Sequence, residues 1–337
     1  MLYKNAVQRI IIEEQRNNEL AEEEPGYTTL FPPYIFRTIN RKDRVDTQEN
    51  NFINKCTSLN PGYQSILYDP NDVNSFEFVE QYYPEFLDVY KHKFPEKRKG
   101  IMRADMLRLL LLHHNGGVYF DMDVECRIPI DTWGESFGIY KAQTSDGTSW
   151  FIENDTEIRV IQSMRRVQSN RSDNGAMKST EGYADVRNMI QLMIGVEFVA
   201  PTPAFTTCAI AARQKHEIFY TAVEMIANKT RLLGWNNSTT TINTKDSDVL
   251  EITGPTLWTS AILQHFIDRG YLARNGGEDV IRNATFWQSR HINTLVGDVA
   301  ILNKQAFGYH QFHANSPPAQ SKELYIRHWY KGRWRNE

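Results

Sequence analysis

The sequence predicts an α/β fold with a mostly parallel central sheet, and three observations carry that prediction. Apolar runs of strand length alternate with helical patterns along the chain. A leucine-rich helical stretch, "RADMLRLLLLHHN", is broken by Gly116 and Gly117 and runs straight into a short apolar strand, "VYF". That strand ends on two acids one residue apart, Asp121 and Asp123, at the carboxyl edge where α/β sheets hold their ligands. With 337 residues, 41% of them hydrophobic and 23% charged, the chain can bury a large core, as one large domain or as two fused ones.

Taken in order, residues 1–30 read as a polar arm, first an amphipathic and then an acidic exposed helix. Nowhere is there an apolar run of about 18 residues or a signal-peptide core, so the expectation is a soluble chain without a visible anchor. "PPYIFRTIN" (32–40) has the prolines and apolar run of a first buried strand, and "YQSILYD" (63–69) is a second. From 101 to 114 apolar residues cover most of a helix, with Arg103, Asp105 and Arg108 as polar exceptions; Asp105 and Arg108, three apart, share a face. The two glycines end this helix, the first in a left-handed cap. "LMIGVEFVA" (192–200) is a later buried strand, followed by a helix opening near Pro203 and running through "AFTTCAIAARQ". Polar, turn-rich stretches at 163–182 and 236–247 read as surface loops or insertions. No repeat and no linker divides the chain.

Charge and cysteine content narrow the partners. A net charge of -3 and a pI near 6.3 offer no basic excess, which makes nucleic acid a poor partner. Cys56, Cys126 and Cys208 have no CxxC spacing and an odd count, which argues against a structural zinc site or a full disulfide framework. Sequons at Asn154, Asn170, Asn228, Asn236, Asn237 and Asn283 permit a secretory location without requiring one.

Asp121 and Asp123 point the same way, because side chains alternate along a strand. Side by side they repel, and a hard divalent cation, Mn²⁺ or Mg²⁺, would compensate them while completing its shell with phosphate oxygens and water. The alternative is a solvated acidic turn.

"RADMLRLLLLHHNGGVYFDMD" resembles the Arg-x-Asp-x-x-Arg and Gly-Gly-x-Tyr-x-Asp-x-Asp signature of the DXD-sugar glycosyltransferases, glycosyltransferase family 32, which includes the fungal initiation-specific α-1,6-mannosyltransferases. "FPPYIFRT", "PIDTW", "IGVE", "TGPTLWTSAI" and "HWYKGRW" fall in the family's order, so the resemblance covers residue 31 to the end. Arg37 and Arg333 stand where the family has Gln and Ser. The resemblance implies a GT-A nucleotide-diphospho-sugar transferase domain over 31–337, with a C-terminal lid on the pyrophosphate. It further implies Mn²⁺ or Mg²⁺, a nucleotide-sugar donor with GDP-mannose foremost, a glycan or glycoprotein acceptor, retention of configuration, and the Golgi lumen. By the same analogy Asp123 ligates the metal, Asp121 contacts ribose and metal-bound water, and His328 adds a metal contact. Asp105 and Arg108 hold the donor sugar's hydroxyls, where an ion pair closing a buried helix end is the alternative reading. Thr38, Tyr119, Arg333 and Trp334 line the donor site, and Glu197 lies beneath the anomeric carbon; for Tyr119 plain core, and for Glu197 a buried acid satisfied by backbone donors, stay open. A glycolipid acceptor, as for the inositol-phosphoceramide mannosyltransferases, and a binding protein without turnover are the competing functions.

Overall fold

The structure, a computed structural model, describes residues 29–40, 45–137, 139–144, 147–152, 159–161, 190–198, 204–235, 245–272, 293–307 and 324–332. Residues 1–28 of the N-terminal arm, the 163–182 stretch, Arg333 and Trp334 lie outside them.

In chain order the elements are β1 (Tyr34–Thr38), α1 (Thr47–Leu59), β2 (Gln64–Tyr68), α2 (Val73–Tyr82), α3 (Lys99–Asn115), β3 (Gly117–Phe120) and β4 (Val124–Cys126). A short 3-10 stretch (Ile130–Phe137) follows, then β5 (Ile139–Thr144), β6 (Gly147–Ile152), β7 (Arg159–Ile161), β8 (Leu192–Phe198) and β9 (Ala204–Ala212). The remainder is α4 (Glu217–Leu232), α5 (Asp246–Ile252), α6 (Pro255–Asp268), β10 (Thr294–Val296), β11 (Val299–Leu302), α7 (Lys304–Phe307) and β12 (Ile326–His328).

Eight strands form one sheet in the order β2-β1-β3-β9-β8-β11-β10-β7. The β2-β1, β1-β3, β8-β11 and β10-β7 pairs are parallel; β9 runs antiparallel to both neighbours, and β10 and β11 form a hairpin. This is the mixed, mostly parallel central sheet of the α/β fold that the sequence predicts. Alternation along each strand divides the core in two. Phe36, Tyr119, Ile194 and Ile210 face a cluster shared with α3, α4 and α6. Ile35, Val118, Phe120 and Met193 face the other layer, with Trp133, Phe307 and Ile326.

"AFTTCAIAA" is the strand β9 and not the helix expected from its alanines. Its position decides this: β9 fills the gap between β3 and β8, and pairing on both edges satisfies its backbone. Ala209, Ala211 and Ala212, all fully buried, let the flanking layers approach. Tertiary pairing thus overrides helix propensity. The polar stretch at 236–247 also ends earlier than expected, since α5 begins at Asp246.

Leucines at 107 and 109–112 bury α3 almost all round, so it runs through the interior to the sheet. Gly116 ends it at φ 63, ψ -155, outside the left-handed cap region but still a positive φ that favours glycine. Gly117, φ 92, starts β3 against β1, where an added Cβ would stand 2.7 Å from the Tyr34 carbonyl oxygen. The pair therefore lets a buried helix turn directly into a central strand. Gly117→Ala is expected to destabilise the fold by about 2 kcal/mol or more from backbone strain and this contact. Gly234→Ala, at φ 62 with nothing within 4 Å of the new Cβ, should cost less. Paired thermal unfolding of the two variants checks the difference.

Candidate active site

The carboxyl ends of β1, β3 and β8 and the start of β9 open on a cavity of about 720 Å³. Thr38, Asp105, Arg108, Tyr119, Asp121, Asp123, Glu197 and His328 all line it, so every site residue expected from the sequence and present among the described residues comes to one place.

Arg108 organises the floor. Its guanidinium reaches Asp105 at 3.0 Å and Asp121 at 3.1 Å, and donates to the Thr207 carbonyl at 3.0 Å. Asp105 and Arg108 are each only 5% exposed, which makes this an interior ion pair. The Thr253 hydroxyl donates to the other Asp105 oxygen at 2.8 Å. Burial raises the Asp105 pKa to about 6, with Arg108 and Thr253 opposing the rise. Burial lowers the Arg108 pKa, but Tyr119, Asp121 and Asp105 outweigh it, so the net shift is upward.

Tyr119 belongs to the site as well as to the core. Its hydroxyl donates to Asp121 at 3.0 Å and lies 2.8 Å from the Thr38 hydroxyl, while the Arg108 guanidinium stacks 4.6 Å from its ring centroid. The Asp121 oxygen facing Arg108 and Tyr119 is thus held from two sides.

Arg37, the residue standing in place of Gln, is 1% exposed and donates to the backbone carbonyls of Asp121 and Val124, the latter at 3.1 Å. It also contacts Cys56 Sγ at 3.1 Å, and Cys56 is disulfide-bonded to Cys126. Burial lowers its pKa to about 10, so it stays charged at neutral pH. Arg37 therefore braces the turn that presents the two acids.

Asp123 is gripped by the C-terminal segment. Its Oδ1 lies 3.2 Å from His328 Nε2, its Oδ2 accepts from the Lys331 backbone N–H at 2.8 Å, and its carbonyl accepts from Trp329 N–H at 3.0 Å. Burial raises the Asp123 pKa, but His328 and the Lys331 N–H outweigh it and leave it below the ordinary value. His328 responds in the opposite sense: burial lowers its pKa, while Cys208 and Asp123 lift it well above the ordinary value. β12 pairs antiparallel with β4, so His328 stands opposite Val124. Trp329 stacks on Phe52 of α1, with centroids 5.7 Å apart, and Lys331 Nζ reaches Asp46 at 2.9 Å. Tyr330 has a positive φ of 49, an unusual strain for a tyrosine.

One ligand atom from each of Asp121, Asp123 and His328 falls within 4.8 Å of the others. His328 presents Nε2 to Asp123 Oδ1 at 3.2 Å, so the imidazole faces the place where the two acids converge. The donor set of two carboxylates and an imidazole fits Mn²⁺. Glu197, at the end of β8, has its pKa raised by burial, and among the described residues nothing hydrogen-bonds its carboxylate.

Residues 46–137, spanning α1 to the 3-10 stretch and including both acids, match the family described as "Glycosyltransferase sugar-binding region containing DXD motif". Over these residues the chain is similar to the DXD-containing glycosyltransferases. Its relatives include the mannosyl phosphorylinositol ceramide synthase SUR1 of Saccharomyces cerevisiae, 34% identical over 128 residues, which are 38% of this chain and 30% of the relative. The initiation-specific alpha-1,6-mannosyltransferase of Schizosaccharomyces pombe is 22% identical over 326 residues, 94% of this chain and 67% of that protein. The chain thus spans under a third of the first relative's length. Among solved structures it is similar to the PaToxG glycosyltransferase, with 16% identity over 80% of this chain and 82% of that one and a TM-score of 0.41.

Sequence reasoning missed Arg37 as a brace, Thr253 as the partner of Asp105, and Lys331 as a clamp on Asp123. Thr253 opens the family-like "TGPTLWTSAI", which was a usable signal. The Lys331 contact runs through its backbone N–H, which no side-chain pattern reveals.

Because the fold raises the Asp105 pKa, the stability held by its protonated form is complete below the ordinary 3.8 and is lost as pH rises through about 6. Carboxyl-carbon NMR of the metal-free protein should show one aspartate titrating near pH 6. Thr253→Val should move it upward, since the hydroxyl bond favours the carboxylate.

Proposed function

We propose that this protein is a metal-dependent glycosyltransferase that moves a mannosyl group from GDP-mannose to a glycan acceptor, with retention of configuration. The observation that carries this reading is the convergence of Asp121, Asp123 and His328 at the end of β3, inside a cavity of about 720 Å³. Relatives named for mannosyl transfer support the sugar.

Residues 31–337 act as one transferase domain. A divalent cation held by Asp121, Asp123 and His328 would neutralise the charge that develops on the departing nucleoside diphosphate. The chain's own groups do the rest. Arg108 and Tyr119 keep Asp121 oriented before the donor arrives. Asp105 and Arg108 face the donor sugar's hydroxyls, Thr38 and Tyr119 complete the donor pocket, and Glu197 lies on the side of the anomeric carbon. The segment from His328 onward, including Arg333 and Trp334, covers the pyrophosphate and excludes water. The acceptor hydroxyl attacks on the face from which the diphosphate leaves, and the leaving phosphate takes the hydroxyl proton.

A glycoprotein N-glycan is the acceptor favoured here, on the near full-length match to the initiation-specific enzyme. An inositol-phosphoceramide acceptor is the second reading, because identity in the central block is higher with the ceramide synthases. The Cys56–Cys126 disulfide fits an oxidising compartment and so a Golgi-lumenal site of action. Among the described residues no helix is long and apolar enough to cross a membrane.

The test is a panel of GDP- and UDP-sugars with Mn²⁺, read as release of nucleoside diphosphate with and without glycan and inositol-phosphoceramide acceptors. GDP-mannose should be turned over fastest. Asp123→Ala should lower that turnover at least about 100-fold, the rate equivalent of the several kcal/mol a lost charge contact is worth, and should also lower the melting temperature, because His328 and the Lys331 N–H lose their partner. Asp123→Asn, which keeps an acceptor oxygen, should lose turnover with a smaller change in melting temperature. Wild-type turnover by Asp123→Ala, or equal rates without metal, would overturn the metal assignment.

A further inference from the structure

A second cluster of metal-ligating side chains stands at the opposite end of the sheet. There Ala212, Leu192 and Val299 lie side by side, at the end of β9 and the starts of β8 and β11. His216 caps the start of α4 a few residues after β9, and His265 sits in the last turn of α6. Asp298 lies in the β10–β11 turn, where its carbonyl accepts from the backbone N–H groups of Gln191 and Leu192 at 2.9 and 3.3 Å.

His216 Nε2 is 3.6 Å from one Asp298 oxygen and His265 Nε2 is 3.7 Å from the other. Both imidazoles are only 3% exposed, and neither Nε2 has a hydrogen-bond partner. The separations are too long for hydrogen bonds. They are close to the spacing of two donors on one tetrahedral ion, which at bond lengths of about 2.0–2.1 Å is roughly 3.3 Å. Ligand atoms of all three residues fall within 4.8 Å of one another.

The surroundings orient the donors. Glu217 Oε1 lies 2.7 Å from His265 Nδ1, off the line of the ring N–H, and the Arg269 guanidinium holds both Glu217 oxygens at 2.8 Å. This carboxylate favours the proton on Nδ1 and leaves the Nε2 lone pair toward Asp298, the arrangement of a carboxylate–histidine–metal triad. The α6 carboxyl end adds negative potential. At His216 the Ile218 N–H approaches Nδ1 at 3.4 Å, a contact at the outer limit of hydrogen bonding. Ligation through Nε2 places the ring proton on Nδ1 and gives up that contact.

We propose that His216, His265 and Asp298 form a second cation site, distinct from the Asp121–Asp123 centre, that takes a zinc-class ion and pins the start of α4, the end of α6 and the β10–β11 turn together. Two imidazoles and a carboxylate suit Zn²⁺. The Asp298 side chain, 39% exposed, lets water reach the fourth position.

The probe is ZnCl₂ alone, added to the chelator-treated full chain. Asp121→Ala/Asp123→Ala, which disables the first centre, should retain one zinc per chain in equilibrium dialysis. In that background His265→Ala and Asp298→Asn should lose it, and Glu217→Gln should weaken it about 10- to 100-fold, the usual effect of removing a carboxylate behind a ligating histidine. Zinc should also raise the melting temperature of the double variant but not of Asp298→Asn in the same background. Asp298 occupies a part-exposed turn, so that variant remains informative even where His265→Ala fails to fold. Absence of bound zinc, or zinc bound equally by the double variant and Asp298→Asn, would overturn the proposal and leave the cluster as an ion-pair network.

Discussion

A guanidinium buried between two carboxylates governs how the rest of the candidate active site can be arranged. Arg108 reaches both Asp105 and Asp121 from within α3, and none of the three can turn away without leaving charge unpaired in the interior. The buried leucine helix, the glycine pair and the short central strand all follow from bringing these groups together. Gly117 carries the chain from α3 into β3, and Asp121 arrives after only three further residues. Thr253 from the end of α5, Thr38 from β1 and the Thr207 carbonyl of β9 complete the network, so five elements meet around a single cation.

The same network sets up a division of labour between the two acids. Asp121 is turned inward, toward Arg108 and Tyr119, and Arg37 braces its carbonyl. Asp123 is turned toward the C-terminal segment and is held by His328 and Lys331. Two like charges one residue apart are tolerated because each has its own counter-group on a different part of the chain. A cation between them would gain from both without either having to move far, which is the preorganisation an electrostatic catalyst needs.

How much of this was legible in the sequence differs by kind of interaction. The acids, the helix–glycine–strand unit and the Asp105–Arg108 pair are local, set by spacings of two and three residues, and the structure has them where expected. The shared strand face of the two acids is not observed, because β3 ends at Phe120 and a turn aims Asp121 at Arg108 and Asp123 at His328. β9 was misread because "AFTTCAIAA" has no decisive local pattern; its identity comes from the two strands flanking it, distant in sequence. The disulfide links residues 70 apart, and nothing in the cysteine spacing selects that pair. Arg37 reads as a departure from a motif until its guanidinium is seen beneath the Asp121 carbonyl, where a shorter amide could not reach both Asp121 and Val124 with a charge.

The C-terminal segment is built into the sheet framework beside the two acids. An exposed tail could serve as a lid by ordering from a free state, but β12 is a strand paired with β4, and Ile326 is fully buried. Since β4 directly follows the two acids, β12 and the Asp121–Asp123 turn form one unit, tied by the disulfide and Arg37 to α1 and β1. Under the proposed function, any closure over the diphosphate would therefore arise beyond His328. Tyr330 and Gly332 both have positive φ, 49 and 58, so the backbone there bends sharply and at some cost for the tyrosine. Trp329 and Lys331 hold that bend by stacking on Phe52 and reaching Asp46, both on or beside α1. The segment from Ile326 to Gly332 is thus anchored at its base by pairing with β4 and latched against α1 by Trp329 and Lys331.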